Sequence, residues 1–221
     1  MGNRPLRRFR TMSRTDFDPS QTDPTAFYRV VNSVVVPRPI AWVSSTSADG
    51  VDNVAPHSFF TVSSARPPIV QFTSVGHKDS LSNVLATGEF VVNLAPEHLI
   101  EEVNASATDF PPEVDEFEAV GLEREPSEKV APPRVAGSPV AIECELQGTE
   151  EFGESTVVFG RVVWIAIDDA AIVDGRAQIS LLKPLARLGG RQWSTIGEVR
   201  EISRVRHEDW DYGSSRPKSD R

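Results

Sequence analysis

Ile40-Ala-Trp-Val-Ser-Ser45, then Ala48-Asp-Gly50, then Val51-Asp-Asn-Val-Ala55: this stretch reads as a strand, a turn and a returning strand. The first run is apolar, aromatic and β-branched, as a packed strand requires. The Asp-Gly pair supplies the positive φ that tight hairpin turns need. Working outward, Ser58 to Ser64 is a further extended stretch, Arg66-Pro-Pro68 a corner and Ile69-Val-Gln-Phe-Thr-Ser74 another strand. The period then changes. Asp79 or Ser80 suits a helix N-cap, Leu81, Val84 and Leu85 fall on one helical face, and Gly88 sits where a helix ends. Glu89 to Leu94 is a strand, and Pro96 opens a second helix with Leu99, Ile100 and Val103 as its buried stripe. Residues 108–133 form an acidic, Pro-rich loop with one more helix near Val114 to Ala119. Val140 to Glu150 and Thr156 to Ile167 are two long strands about Gly153. In the second, Val158, Gly160, Val162, Trp164 and Ala166 share one face by alternation. Leu182 to Leu188 is a late apolar segment that ends in Gly189-Gly190. Many antiparallel strands with a few short helices predict a mainly β fold, a closed or half-closed β-barrel.

The chain has 221 residues and a formal charge of −9. Residues 1–24 read as a disordered basic tail, 25–204 as one domain and 205–221 as a C-terminal tail in which Trp210 and Tyr212 are placed to dock on a partner subunit. Eleven acids and one basic residue, Arg124, fall between Glu97 and Glu128, so the rest of the chain is near neutral. This balance argues against nucleic acid and anionic membranes as partners, yet leaves room for a phosphate-bearing cofactor elsewhere. The acidic segment reads as solvated surface, with a lid or dimer cover as the alternative. Cys144 is the single cysteine, which excludes an internal disulfide and fits a reducing cytosol. The Arg-rich start has no apolar core of a secretory signal, and no run is long enough to span a membrane, so the expected location is cytoplasmic. Four scattered histidines and one cysteine make no metal-ligand spacing.

Chemistry concentrates between Asn53 and Asn83. Asn53-Val-Ala-Pro-His-Ser-Phe-Phe60 is extended and rich in small residues, so a flat ligand can lie on its backbone. Pro56 withholds an N–H and breaks a strand ladder, leaving nearby groups free. The same residues also suit an ordinary edge strand. Ser74-Val-Gly-His-Lys-Asp-Ser80 leads into the helix, where free N–H groups and Lys78 favour a phosphate. The competing reading is that Asp79 or Ser80 simply caps the helix. Asn83 lies three residues after Ser80 on the same face. His57 sits inside the first motif and His77 borders the second. Arg187-Leu-Gly-Gly190 permits close backbone approach, as a functional loop or as a plain turn. No catalytic triad assembles and no dinucleotide-binding glycine fingerprint is present.

Val36-Pro-Arg-Pro-Ile-Ala-Trp-Val-Ser44, Asp49-Gly50, Asn53 to Phe60, Ser63-Ser64, Pro67-Pro68, Lys78-Asp-Ser80, Asn83 and Thr87-Gly-Glu-Phe-Val-Val-Asn93 resemble the flavin reductase-like family of FMN-binding split barrels, its flavoredoxin-like branch above all. The similarity continues through Asp109-Phe-Pro-Pro112, Asp115-Glu-Phe117, Gly121-Leu122 and Pro184 to Gly190. It departs at Ser80, where the family often has Thr and the hydroxyl is kept. The resemblance implies an FMN-binding split barrel that works as a homodimer with the flavin near the subunit interface. It implies cofactor contacts from Asn53, Ala55, Pro56, Ser58 and Phe60 to the ring, and from Ser74, Lys78, Asp79, Ser80 and Asn83 to the phosphate end. The function it implies is a flavoprotein oxidoreductase in which NADH or NADPH delivers hydride to the flavin. Electrons then pass to an acceptor such as a partner oxygenase. The alternative is an FMN-binding electron carrier with no pyridine-nucleotide activity of its own, and a non-redox interaction module is a third reading.

Overall fold

The computed structural model describes residues 12–211 and 216–217. Residues 1–11 of the expected basic tail, and Tyr212, lie outside the described residues. Seven antiparallel strands make the principal sheet: β1 (Ala41–Thr46), β2 (Asp52–His57), β3 (Phe60–Ala65), β4 (Pro68–Val75), β5 (Glu89–Leu94), β6 (Val140–Phe152) and β7 (Ser155–Ile167). Their spatial order is β2-β1-β5-β6-β7-β4-β3. The two edge strands are therefore neighbours in the chain, joined by Ser58 and Phe59. The Thr73 N–H on β4 donates to the Phe59 carbonyl at 2.9 Å, which carries the β3–β4 pairing one residue beyond Phe60. The result is a split barrel, open along the seam between β2 and β3.

β1 is buried on both faces, which explains its unbroken apolar run. Inward, Ala41 and Val43 join Val70, Phe72, Phe90, Val92, Cys144 and Val158 inside the barrel, and α2 (Asp79–Thr87) adds Leu81 and Val84. Outward, Trp42 packs with Val54, Val103, Phe117 and Leu185. This second layer is covered by α3 (Ile100–Ala105) and α4 (Glu116–Val120), and the Trp42 indole donates to Ser106 Oγ at 2.9 Å. At Gly160 on β7 an added Cβ would lie 2.3 Å from Phe90 Cζ, so the barrel interior admits no side chain there.

Several local expectations change. The N-cap of α2 is Lys78, not Asp79 or Ser80, and no side chain caps the helix. Leu85 is 48% exposed, because the helix buries only a narrow stripe of Leu81 and Val84. In β7 a bulge between Val162 and Trp164 breaks the alternation, so Trp164 points outward instead of sharing the Val158 face. Pro96 precedes a 3₁₀ turn at Glu97–Leu99, and α3 begins only at Ile100. A helix that the sequence reading did not mark opens the domain: α1 (Pro24–Val34) starts with Asp23 accepting the Ala26 N–H at 2.9 Å and Pro24 in the first turn. This helix buries none of its own residues and exposes Tyr28, Val31 and Val34.

Candidate functional site

A cleft of about 470 Å³ opens at the barrel seam. One wall is β2 from Asn53 onward with the Ser58-Phe59 link that follows it. Thr73 and Val75 of β4 form the back, and residues 77–80 at the start of α2 close one end. The loop after α3, with Ser106, Asp109 and Phe110, lies opposite. Tyr28 of α1 and Glu116 of α4 complete the walls.

The α2 end is built for an anion. Ser82 is the first residue whose N–H bonds back within the helix, to the Lys78 carbonyl at 3.0 Å. The N–H groups of Asp79, Ser80 and Leu81 thus have no intrahelical acceptor, and the helix dipole adds partial positive charge. Lys78 stands beside them, half exposed, and its ammonium bridges the mouth of the cleft to Asp109. Gly76, at φ +79°, makes the tight turn into this loop.

The β2 wall is shaped by its edge position. Val54 N–H points away from β1 and donates to Glu116 Oε2 at 2.9 Å. Backbone direction alternates along a strand, so Pro56 shares that outward side, where its missing N–H costs no ladder bond. His57 packs its ring 4.7 Å from Phe72, which in turn meets Phe90 edge-on at 5.4 Å. Burial, with help from Lys78 and against the opposing pull of the Thr73 backbone, pushes the imidazole down to about 4. His57 is therefore neutral at pH 7. Its Nε2 is buried with no hydrogen-bond partner, an orphan polar atom in the wall of a cleft.

Behind the wall runs a buried polar network. Asn53 Oδ1 accepts from Ser80 Oγ at 3.0 Å and from Ser45 Oγ at 3.5 Å, and Asn83 Nδ2 donates to Ser45 Oγ at 3.2 Å. These bonds lock α2 to β1 and β2. Glu116 is only 4% exposed. Burial, reinforced by Asp79 and Asp115 and opposed by the Val54 N–H and Asn53, raises its carboxyl to about 7.

Of the ten residues singled out from the sequence, Asn53, Ala55, Pro56, Ser58, Lys78, Asp79 and Ser80 line the cleft. Phe60, Ser74 and Asn83 do not. Phe60 packs against the barrel core, Ser74 is fully buried with its hydroxyl on the Gly76 carbonyl, and Asn83 belongs to the network behind the helix. Residues 187–190 also lie off the cleft. Arg187 stacks 4.5 Å from the Trp193 ring, while the buried Arg38 donates to the Leu188 carbonyl at 2.9 Å. Sequence reading missed Glu116, Phe59 and Tyr28. Tyr28 had a signal, the Asp23-Pro24 helix start. Glu116 lay in the matching stretch Asp115-Glu-Phe117, but its burial had no signal, because an acid inside an acidic run reads as solvated until the fold buries it.

A model of the flavin reductase like domain matches residues 33–181. A protein of Aquifex aeolicus described only as uncharacterized is 38% identical over 193 residues, 84% of this chain and 98% of that one. Nitrilotriacetate monooxygenase component B from Bacillus cereus superposes with a TM-score of 0.82 at 28% identity, covering 87% of this chain and all (100%) of that one. The 2-nitrobenzoate 2-nitroreductase of Pseudomonas fluorescens superposes with a TM-score of 0.81 at 30% identity, covering 87% and 98%.

Proposed function

The chain belongs to the flavin reductase like family, and from that premise we propose that its cleft holds FMN and that the protein is an NAD(P)H-dependent flavin oxidoreductase. The observation that carries this reading is the pairing, in one cleft, of an uncapped helix N-terminus beside Lys78 with a flat strand-edge wall holding an unpartnered His57 nitrogen. The first fits a phosphate and the second a planar ring with hydrogen-bonding edges. Bound FMN supplies hydride acceptance and one-electron transfer. The protein's share is to bind and orient. Lys78 and the N–H groups of Asp79, Ser80 and Leu81 hold the phosphate, while residues 53–59 present backbone groups to the ring. Asn53 and Ser80 act from behind by keeping α2 against β2. The neutral His57 offers a fixed polar atom without adding a charge. No acid–base residue is needed for hydride transfer, so none is assigned.

A homodimer forms part of the same reading. It is supported by α1, which buries nothing in its own chain while exposing Tyr28, Val31 and Val34, with Tyr28 on the cleft wall. Light scattering reporting a monomer at micromolar concentration would remove it. The electron acceptor is proposed by likeness: a partner oxygenase, from the monooxygenase component, or a nitroaromatic, from the nitroreductase. No helix among the described residues is long and apolar enough to cross a membrane, and a cytoplasmic location completes the proposal.

The test is FMN titration of the apoprotein, followed by anaerobic mixing with NADH and with NADPH. Saturable quenching of flavin fluorescence and bleaching by either nucleotide are expected. Absence of FMN binding would sink the reading. Binding without bleaching, when dithionite does reduce the flavin, would replace it with an electron carrier.

A further inference from the structure

Glu116 is a buried carboxyl in the wall of a cleft fitted for an anion, and among the described residues no cation pairs with it. Its one backbone donor is the edge N–H of Val54, and the Asn53 side chain supports it. Every other charged group facing it is either acidic or already paired. Asp79 repels it from the first turn of α2, and Asp115 repels it from the N-cap of its own helix. The nearby Arg124 is held between Asp52, at 2.9 Å, and Asp115. Lys78 is turned across the cleft mouth toward Asp109. Glu118, next along α4, is exposed.

We propose that Glu116 is a positioning residue that gates the site's affinity for the phosphate end of its ligand by proton uptake: it must be neutral for tight binding of a dianion. The inference rests on the flavin reading above. A neutral Glu116 still accepts the Val54 N–H, so the strand edge stays in place. An ionised Glu116 adds a second carboxylate to the one on Asp79, and it is linked through the Asn53 side chain to Ser80, whose N–H helps hold the phosphate. Like charges in a partly desolvated cleft repel strongly. A dianion arriving there raises the proton affinity of Glu116, so binding draws a proton from solvent. The proton is bound by one carboxylate oxygen and no bond to the ligand forms.

The site thus distinguishes FMN from riboflavin more sharply at pH 6 than at pH 8.5. Around neutral pH, where Glu116 titrates, a modest acidification tightens retention of the cofactor and alkalinisation loosens it.

The experiment measures dissociation constants of FMN and riboflavin by fluorescence quenching from pH 6 to pH 8.5, for the native protein and for Glu116→Gln. Glutamine keeps the acceptor for Val54 and removes the charge. The second ionisation of the FMN phosphate affects both proteins alike and cancels in their ratio. FMN affinity of the native protein relative to Glu116→Gln is expected to fall by about five-fold or more across that range, for one like charge brought near the phosphate. Riboflavin should show a much smaller change. Calorimetry of the native protein alone, in two buffers of different ionisation enthalpy, should report net proton uptake near pH 7 for FMN and little for riboflavin. This arm holds even if the variant folds poorly. Parallel pH profiles for the two proteins, or no proton uptake specific to FMN, would overturn this inference and leave the flavin reading intact. No FMN binding to either protein would overturn both.

Discussion

Gly160→Ala is the most demanding test of the barrel's packing, because the adverse contact can be worked out in advance. The new methyl would lie 2.3 Å from Phe90 Cζ and 3.0 Å from Cys144 Cβ. Carbon atoms rest at about 3.5–4.0 Å, so the Phe90 ring must retreat by roughly 1.2–1.7 Å. It has nowhere to go: Phe90 is fully buried and edge-on to Phe72 at 5.4 Å, and Phe72 lies 4.7 Å from His57. Overpacking of this kind costs about 1–3 kcal/mol. Replacing a strand glycine by alanine returns about 0.5–1 kcal/mol by restricting the unfolded chain. A contact of 2.3 Å belongs in the upper half of the overpacking range, so the net loss is about 1–2.5 kcal/mol, which for a domain of this size lowers Tm by about 2–10 °C. Thermal melts followed by near-UV circular dichroism measure it. Shortening the opposing ring with Phe90→Leu should relieve the clash, with a favourable coupling of about 1 kcal/mol in the double-mutant cycle. A Gly160→Ala protein that melts at or above the native temperature would refute the reasoning, and so would the absence of coupling. Because the strain passes along Phe90 and Phe72 to His57, a looser cleft and weaker FMN binding should accompany the loss.

Three further outcomes follow from the same geometry. Lys78→Ala should weaken FMN binding by about three- to thirty-fold, as loss of one charge-assisted contact at a half-exposed site, while riboflavin affinity barely changes; equal losses for both ligands would move the phosphate elsewhere. Glu143 is fully buried and accepts from Glu128 N–H, Lys129 N–H and Arg134, so Glu143→Gln should cost about 3–5 kcal/mol in urea denaturation. Burial raises its carboxyl, but the backbone donors and Arg134 outweigh that and hold it below the ordinary value. With the folded value depressed, its stabilisation is present above the ordinary glutamate range and is lost as pH falls through the depressed value, so the gap to Glu143→Gln should narrow in acid. The Cys144 thiol is buried, and desolvation with help from Glu143 pushes it up to about 12; it should resist thiol reagents in the native protein and react fully in urea, and rapid native labelling would contradict the packing.

Local patterns were enough to mark the strands, because alternation, turn chemistry and helix ends act over a few residues. Asp49-Gly50, Gly88 and the run from Glu89 to Leu94 fall where the sequence places them, and Gly50 and Gly88 take the positive φ values, +84° and +77°, that the turn and the helix end require. The run from Asn53 to Ser80 also identifies the cleft's two main walls, since its residues are near one another in the chain. Tertiary structure decided what those residues do. Phe60, Ser74 and Asn83 carry the right chemistry but point into the core or the network behind α2. Strand direction and helix phase set that, not composition. Trp164 changed face through one bulge. Tyr28 and Glu116 reach the cleft from elements remote in sequence, and the burial that raises the Glu116 carboxyl exists only after α4 docks on the free edge of β2. Short-range periodicity determined which segments became strands and helices. Which side chains share a cleft, and which carboxyl loses its water, depends on contacts between distant segments that no local pattern encodes.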